Sequence, residues 1–592
     1  MKKYFYTLIL LFFSVLCLGQ NNNFILAENY YRNTEYEKAA QLYKQLVQKS
    51  PYNNLYFKRL ISCYQETNQF DKAENILTSS IKQNPKLTFL YVMLGYNYDR
   101  QQQEAKAKTY YEKALASIDV YESYAGTIAG LFKDYAKLDY AIKAYEKASA
   151  KNENANYGFQ VAQIYGEKGD FKSMFDQYIN FVDKDDYQLN TVKRFSARYV
   201  SDDSEDPNNK LFKQALLRKS ASNPKAIWND LLSWLFTKQK DYNKAYIQQK
   251  ALYARDPDNL SGMKQLGKIA FENTDYEAAK KCFDFVIEKT MYPRDRFNAI
   301  QMKMMIAVKN KEEDIEQQFE AVFKEHGINS NTFPIQLVYA DYLTFEKNKP
   351  EEARKIIEKG LETANTPFNK TYGKYKLADI LVYQGYFNQA LIYYTQIYNK
   401  TKLGSLPEQV QFKIAQTSYF KGDFKWAKAQ LKVLKKSASK LIANDAADLF
   451  LLISDNEPKD STDTSLKTYA KADLLSYQNQ LDDAIVILDT LINDFKGQSI
   501  EDDALYKQAF LLVKKEAYNK AIENYEALIK MGSETIYVDD ALYYLAELYQ
   551  SKLNNPEKAQ EYYQKIIFDH ASSIYLVDAR KKYRKLRGDT IN

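Results

Sequence analysis

The stretch Tyr36–Pro51 reads YEKAAQLYKQLVQKSP, and the stretch Phe70–Pro85, 34 residues further on, reads FDKAENILTSSIKQNP. In both stretches an alanine is followed by a larger apolar residue four positions later and by a proline twelve positions later. The same register returns in two more units, so four consecutive segments share one pattern. The reference residues of these four units are Ala39, Ala73, Ala107 and Ala141.

A small residue at a fixed place in each unit has a direct physical meaning. It lets the backbones of two helices approach closely, and a neighbouring ring such as Tyr43 or Tyr111 fills the space beside that contact. A closing Pro or Asp ends the second helix. One such hairpin cannot bury its own apolar face, so the units must stack on one another. The register therefore predicts an all-α fold of stacked helix hairpins, an α-solenoid.

This pattern resembles the tetratricopeptide repeat, a helix–turn–helix unit of about 34 residues. The register continues at Ala245 and Ala279, and more weakly around Met174 and Ile315. The resemblance implies a right-handed superhelix of about 13–15 units with a C-terminal capping helix. From residue 331 the units lengthen to roughly 37 residues. Their reference residues are Ala353, Ala390, Ala427, Ala484, Ala521 and Ala559.

The later units carry a second signature, an aspartate followed by alanine near the start of each first helix. We expect these aspartates and the serines before them to accept hydrogen bonds from the free N–H groups of the first turn. Units of this kind resemble Gram-negative periplasmic and outer-membrane repeat proteins, such as the β-barrel assembly lipoprotein of the D type and the cell-division coordinator that binds the Tol machinery. The pairs are Asp445-Ala446, Asp503-Ala504, Asp540-Ala541 and Asp578-Ala579.

Two segments interrupt the repeats. Ser201–Pro207 lacks the central glycine and terminal glutamate of a calcium loop, so it predicts a solvated loop before a helix, with a contact or cation site as the alternative. Ser454–Ser465 contains no apolar residue and predicts a hinge. The expected organisation is an N-terminal array at 20–330, middle units at 331–453, the hinge at 454–465 and a C-terminal array at 466–592.

The N-terminus predicts export. Lys2 and Lys3 precede a short apolar run that ends at Leu18, which is typical of a secretory signal over residues 1–19. A membrane anchor would need about 20 apolar residues. Lipidation at Cys17 is a second alternative, although the lipoprotein pattern is incomplete around it. We expect an exported protein of the periplasm that associates with the outer membrane.

The composition limits the catalytic and metal-binding chemistry that this chain can support. The chain has 2 His and 3 Cys, and it shows no glycine-rich phosphate loop, zinc-ligand spacing or nucleophile elbow. Cys63 and Cys282 are predicted to be buried apolar groups and not a disulfide. The net charge of +7 lies largely in one C-terminal segment, which does not indicate a nucleic-acid-binding surface. We expect no enzyme activity, cofactor, metal or small-molecule substrate; a converging carboxylate pair is the enzymatic alternative.

Most of the 52 tyrosines stand at packing positions of the repeat and are expected in the core. In tetratricopeptide repeats certain positions of the first helices line an inner groove. The resemblance assigns to this groove aromatic and basic residues that suit the capture of an extended peptide or a partner helix, and the alternative is an ordinary solvated surface. The predicted groove residues are Phe24, Tyr31, Arg32, Lys58, Phe89, Tyr96 and Arg100.

The last helix is predicted to be strongly basic. Its cations suit a capping helix, where they stabilise the helix dipole. They also suit attachment to an anionic surface, such as phospholipid headgroups or another subunit. The candidate attachment residues are Arg580, Lys581, Lys582, Arg584, Lys585 and Arg587.

These observations together indicate a non-catalytic scaffold of the bacterial cell envelope that holds envelope proteins in its groove. Outer-membrane assembly, secretion and division are the processes in which similar repeat proteins act. The alternative is a surface protein that captures glycans on related helical repeats, which would place aromatic platforms at one site and would carry an anchoring lipid.

Overall fold

A computed structural model describes residues 23–152, 156–257, 259–400, 404–437, 439–457 and 463–589. Within these ranges the structure is helical and contains no β-strand, so the predicted all-α fold is confirmed. The predicted signal peptide, residues 1–19, lies outside the described residues. The chain divides into two compact units, Met1–Cys282 (unit 1) and Phe283–Asn592 (unit 2).

Unit 1 is a series of helix hairpins in which a first helix packs against the second helix that follows it. The helices are α1 (23–32), α2 (Tyr36–Lys49), α3 (Asn54–Glu66), α4 (Phe70–Gln83), α5 (Leu90–Asp99), α6 (Glu104–Ser117), α7 (Ala125–Asp134), α8 (Leu138–Lys151), α9 (Gly158–Glu167), α10 (Phe171–Lys184), α11 (Leu189–Ser196), α12 (Pro207–Ser222), α13 (Ala226–Lys238), α14 (Tyr242–Arg255), α15 (Ser261–Glu272) and α16 (Tyr276–Lys289), which ends in unit 2.

Unit 2 continues the same architecture, and a short π-helix, Tyr342–Glu346, follows one of its helices directly. The α-helices are α17 (Pro293–Lys309), α18 (Ile315–His326), α19 (Phe333–Asp341), α20 (Pro350–Thr363), α21 (Pro367–Tyr383), α22 (Phe387–Lys400), α23 (Leu406–Lys421), α24 (Phe424–Leu434), α25 (Lys440–Asp455), α26 (Thr464–Tyr477), α27 (Leu481–Asp494), α28 (Ile500–Lys514), α29 (Tyr518–Met531), α30 (Val538–Ser551), α31 (Pro556–Asp569) and α32 (Leu576–Arg587).

The reference alanines lie where helices approach most closely. All twelve of them, from Ala39 to Ala559, are at most 2% exposed. Large rings occupy the neighbouring space, because Tyr43 and Tyr111 are also buried in the same apolar cluster. The predicted register is therefore confirmed in both units.

The turns inside the first four hairpins share a left-handed residue, and none of these residues is glycine. The residue that follows each turn donates its backbone N–H to a carbonyl of the preceding helix, for example Gln69 to Tyr64 at 2.7 Å. This pattern closes a helix C-terminus. The left-handed residues are Thr34, Asn68, Gln102 and Ala136, with φ of 62°, 57°, 61° and 55°.

The acidic insert of unit 1 leads into a helix, as predicted. Asp206 is the N-cap of α12 and its carboxylate accepts a hydrogen bond from the backbone N–H of Asn208 at 2.8 Å. Pro207 is the first helical residue, where its missing N–H costs nothing. The carboxylates of Asp202 and Glu205 pair with Lys240 and Lys210. The described residues contain no group of three or more acidic, His or Cys side chains that could hold a metal ion.

Helix α25 interrupts the alternation of first and second helices in unit 2. It packs against α24, whereas α26 packs against α27 and against α23. Ile453 and Leu466, on either side of the predicted hinge, are fully buried in one apolar cluster. Residues 458–462 of that hinge lie outside the described residues. The predicted boundaries after residue 330 and at 454–465 fall inside unit 2, and they stay predictions.

The second sequence signature has a different cause from the one predicted. Ser439 and Ser499 precede α25 and α28, but neither side chain caps its helix. Two of the aspartates instead accept hydrogen bonds from tyrosine hydroxyls of the next repeat. Asp503 accepts from Tyr537 at 2.6 Å, and Asp540 accepts from Tyr575 at 2.8 Å. These aspartates therefore tie neighbouring repeats together.

Both remaining cysteines are buried, and the prediction that they form no disulfide is confirmed. Cys63 and Cys282 carry free thiols. Burial disfavours the thiolate and raises the pKa of each thiol to about 12. The two thiols therefore behave as small apolar groups within the packing of unit 1.

A glycine tests the close packing between α5 and α6. A methyl group on Gly95 would lie 2.5 Å from two ring carbons of Tyr111, and that ring is buried. We expect Gly95→Ala to lower the free energy of unfolding by about 1–3 kcal/mol through overpacking. Urea denaturation followed by circular dichroism measures this change.

Gly130 provides a matched control, because it lies in the interior of α7 and an added methyl group would meet nothing within 4 Å beyond its own helix backbone and chain neighbours. Gly130→Ala should leave stability unchanged or raise it by up to about 1 kcal/mol, since alanine favours helix. Equal effects of the two substitutions would contradict the register.

Candidate functional site: the inner face of unit 1

The first helices of unit 1 form a curved row. Lys58 on α3 reaches past α5 to Asp134 on α7, and the ammonium and carboxylate lie 2.5 Å apart. The hairpin of α5 stands between α3 and α7. This ion pair can therefore form only where the row of first helices curves toward the face that carries Lys58 and Asp134. We call this surface, formed by α1, α3, α5 and α7, the inner face of unit 1. We assign the predicted groove to this surface, and the groove itself stays a prediction.

Tyr31 anchors one end of the inner face. Its hydroxyl and that of Ser62 are 2.8 Å apart, and the Arg59 guanidinium lies 4.4 Å from the centre of its ring. Arg59 also donates to Glu28 at 2.7 Å. Burial acts to raise the pKa of Glu28, but hydrogen bonds from Tyr43 and Arg59 outweigh it and hold that pKa below its usual value. Tyr31 is therefore held in place from two sides.

Tyr96 and Tyr135 form the second aromatic element of the inner face. Their rings are parallel within 5° and their centres are 3.9 Å apart. The Tyr135 hydroxyl has a raised pKa, first because burial disfavours the phenolate. Both rings are only half-buried. The stacked pair therefore offers a rigid apolar surface to a ligand at low entropic cost.

Each predicted groove cation has an acidic neighbour. Arg100 pairs with Glu66 at 3.0 Å, and Arg32 lies 3.9 Å from Glu28. Lys58 pairs with Asp134 as described above. The sequence predicts the basic residues but not these partners, which lie on other helices or one turn away. Aromatic contact and hydrogen bonding, rather than a net positive field, are what this surface offers.

One predicted groove residue, Phe89, lies in the core. Phe89 is only 1% exposed, and its ring packs between those of Phe57 and Tyr124, with centres 6.3 and 6.2 Å away. Its assignment to the groove is wrong because α5 begins at Leu90, so Phe89 precedes the helix and turns into the core. Phe24 is half-buried against Tyr56 on α3, at 5.6 Å.

The basic end of the chain separates into two sets. Lys582 donates to Glu547 at 2.7 Å and to the Tyr543 hydroxyl at 2.9 Å, and it lies 2.9 Å from Asp578. Burial acts to lower the pKa of Lys582, but these hydrogen bonds raise it above its ordinary value. Lys582 therefore belongs to the packing between α30 and α32, and its assignment to surface attachment is wrong.

The other basic residues of α32 are exposed. Arg584 and Arg587 both contact Asp589, directly after the helix. Arg580, Lys581 and Lys585 form no ion pair with the described part of the chain. These three cations are the ones that remain available to an anionic surface.

Substitutions of two neighbouring lysines distinguish a structural role from a role in surface attachment. We expect Lys582→Gln to lower the free energy of unfolding by about 1 kcal/mol, because it removes a charge-assisted hydrogen bond from partly exposed acids. Lys581→Gln, the matched control on the exposed side of α32, should change stability by less than about 0.5 kcal/mol. Urea denaturation measures both, and equal stabilities would contradict the structural role of Lys582.

Unit 2 contains a cavity of about 510 Å³, which we call the inner cavity. Helices α23, α25, α26 and α28 form its walls, together with Tyr537 before α30. The second signature singles out Asp445 and Asp503, but it does not indicate that the two aspartates line one cavity. They are far apart along the chain, and the space between them exists only because α25 is placed irregularly among the hairpins.

Asp503 is the most deeply placed acid of the inner cavity. One carboxylate oxygen accepts from Tyr537 and the other from Asn456, both at 2.6 Å. Burial raises the pKa of Asp503 to about 7, although these two hydrogen bonds oppose the shift. The folded protein therefore binds a proton at Asp503 more tightly than the unfolded chain does.

This proton uptake predicts a pH dependence. An acid with a raised pKa in the folded state contributes most stability below its unfolded pKa, and this contribution is lost as the pH rises toward 7. Between pH 4 and 7, Asp503 should lower the free energy of unfolding by up to about 1.4 kcal/mol per pH unit. Asp503→Asn should remove that slope, because a carboxamide does not titrate. Its oxygen can still accept the hydrogen bond from Tyr537.

Urea denaturation at several pH values tests this expectation. Asp494→Asn, at the exposed end of α27, makes the same change of residue outside the inner cavity and should follow the wild-type profile. Parallel profiles of Asp503→Asn and the wild type would contradict the assignment.

The two histidines occupy structural places. His570 follows the last residue of α31, and His326 ends α18 with its ring against that of Phe297, the ring centres 5.4 Å apart. Among the helices that the structure describes, none is long and apolar enough to span a bilayer.

Comparison with known proteins identifies the class of repeat. Models of the tetratricopeptide repeat match residues 30–94, 90–118 and 540–573. These segments are tetratricopeptide repeats, and they include α3 and α5 of the inner face of unit 1. No curated protein matches the chain. The finer resemblance to periplasmic proteins rests on the sequence alone.

Two solved structures illustrate the level of structural likeness. The Naa15/Naa10 complex bound to HypK-THB is 13% identical with a TM-score of 0.29, covering 96% of this chain and 94% of that chain. The Cut9–Hcn1 hetero-tetramer of the APC/C is 12% identical with a TM-score of 0.22, covering 95% of this chain and 96% of that chain. Likeness at this level carries no argument about function.

Proposed function

We propose that this protein is a non-catalytic scaffold of the bacterial cell envelope that holds partner proteins on the inner face of unit 1. The observation that supports it is the half-buried aromatic row of Tyr31, Tyr96 and Tyr135 on tetratricopeptide repeats. Rigid amphipathic rings flanked by hydrogen-bonding side chains are typical of surfaces that bind an extended peptide or a helix. The inner face offers these rings from α1, from α5 and from the residue that follows α7.

The envelope location is supported by the N-terminal sequence. The pattern of residues 1–19 is typical of an export signal, and the free thiols of Cys63 and Cys282 are compatible with the periplasm. The exposed cations Arg580, Lys581 and Lys585 would favour peripheral contact with anionic lipid. Outer-membrane assembly, secretion and division are the processes we propose, on the resemblance of the later repeats.

A second candidate function, glycan capture, is favoured by one feature. Seven aromatic side chains line the inner cavity of unit 2, where the alternative expects clustered aromatic rings. Binding of neutral oligosaccharides to the exported protein would support this candidate over the scaffold.

Crosslinking in the producing cells tests the scaffold. A photoreactive amino acid at the exposed positions Arg32 and Arg100 should capture envelope proteins, whereas the same group at Lys108, exposed on the second helix α6, should not. Tyr31→Ala with Tyr96→Ala should reduce capture by about tenfold or more, because truncating anchor rings removes most of the binding energy. Mass spectrometry identifies the products after fractionation of the envelope.

Two outcomes would contradict the proposal. Equal capture from Lys108 and from the inner-face positions would contradict the proposed binding groove. Capture of cytoplasmic proteins alone would contradict the proposed location in the cell envelope. Circular dichroism of the double variant shows whether the fold is retained.

A further inference from the structure

We infer that the inner cavity of unit 2 binds a cationic side chain, arginine or lysine, presented by a segment of a partner protein. The inference deepens the proposed scaffold function and rests on it, because it names the chemistry of a partner. It concerns a site in a different unit from the inner face of unit 1.

The inner cavity results from the irregular placement of α25. In the neighbouring hairpins a second helix fills the space beside each first helix, but among the described helices α25 packs mainly on α24 and on its near neighbour α23. The chain then returns to place α26 against α23 and α27. The volume left between these helices, about 510 Å³, lies within the range of about 300–1,000 Å³ found for ligand-binding pockets.

The walls of the inner cavity are largely aromatic. Several hydroxyl groups are occupied within the fold, because Tyr419 donates to Asp473 at 3.0 Å and Tyr537 donates to Asp503 at 2.6 Å. The rings are therefore fixed, and π-faces attract cations. The aromatic wall residues are Phe412, Tyr419, Phe420, Tyr469, Tyr477, Tyr506 and Tyr537.

The charge of the walls is negative, and it comes mainly from two of their carboxylates, Asp445 and Asp448. Four aspartates face a single cation, Lys507, which Asp473 neutralises at a distance of 2.6 Å. Asp503 is occupied by Tyr537 and Asn456. Asp445 and Asp448 form no hydrogen bond or ion pair with the described residues, and both side chains are exposed. Two uncompensated carboxylates therefore face the aromatic wall.

Asp445 and Asp448 lie three residues apart on α25, so they share one face of that helix. A planar guanidinium can pair with carboxylates while it stacks on a ring, and an ammonium can make the same contacts as a point charge. Anionic ligands are disfavoured here by repulsion. Charge complementarity therefore selects a cationic segment as the occupant, with its apolar neighbours on the tyrosine and phenylalanine rings.

Peptide binding to the whole chain tests this inference. The probe is a fluorescent heptapeptide, Gly-Leu-Arg-Leu-Arg-Leu-Gly, and its matched partner carries neutral citrulline at both arginine positions. Fluorescence anisotropy gives the two affinities. We expect the arginine peptide to bind at least about tenfold more tightly, because citrulline keeps the shape and removes the charge. The difference should shrink as salt rises from about 50 to about 500 mM.

Protein variants locate the site. Asp445→Asn with Asp448→Asn should weaken the arginine peptide by about tenfold or more and leave the citrulline peptide unchanged. The control, Asp494→Asn with Asp569→Asn, makes the same charge change at the ends of α27 and α31, outside the cavity, and should bind as the wild type does. The peptide comparison on the unchanged protein keeps the test valid even where a variant is destabilised.

Several outcomes would overturn the inference. Equal affinities for the two peptides, full affinity in the Asp445→Asn/Asp448→Asn variant, or no binding of the arginine peptide would each do so. A dimer that the arginine peptide dissociates would assign the cavity to the basic end of a second copy, and displacement by a neutral oligosaccharide would assign it to glycans.

Failure here is separable from failure of the scaffold. The Tyr31→Ala/Tyr96→Ala variant should bind the arginine peptide normally, whereas it should lose the partners captured on the inner face of unit 1. If peptide binding is lost while partner capture is retained, only the proposal for the inner cavity is refuted. If partner capture is lost while peptide binding is retained, only the proposal for the groove is refuted.

Discussion

The close approach of two helices at a buried small residue is the constraint on which this structure depends. Ala39 and Tyr43 begin the pattern, and Ala559 and Tyr563 carry it to the last hairpin, all of them buried. Where backbones approach this closely, no larger side chain fits without displacing a ring, as Gly95 and Tyr111 show. The apolar clusters of both units are built by repeating this contact.

Polar links one repeat apart add specificity to the apolar contact. Glu66–Arg100, Asp379–Lys413 and Asp473–Lys507 are ion pairs between residues 34 positions apart, and the Tyr537–Asp503 hydrogen bond has the same spacing. Exposed pairs of this kind contribute little each. Their common spacing nevertheless sets which face of a first helix meets the next one, and so determines which rings reach the inner face.

The sequence predicts the part of this fold that is periodic. Alanine spacing located the core contacts, because helix packing depends on side-chain size at fixed intervals. Phe89 was misplaced because its position depends on where α5 begins, and helix starts are weakly encoded here. Lys582 was misassigned because its acidic partners lie on another helix. The inner cavity could not be predicted, since it arises where Ala427 and Ala484 are 57 residues apart and the periodicity fails.

The links between residues 34 positions apart have a consequence for how such a molecule can change over generations. In a regular stretch, each module carries an acceptor for the module after it and a donor for the one before. Duplication of one whole module would therefore supply a complete new set of partners and leave no orphan at either junction. Lengthening by tandem copying is thus tolerated by the regular stretches, whereas a copy made across α25 would join mismatched ends.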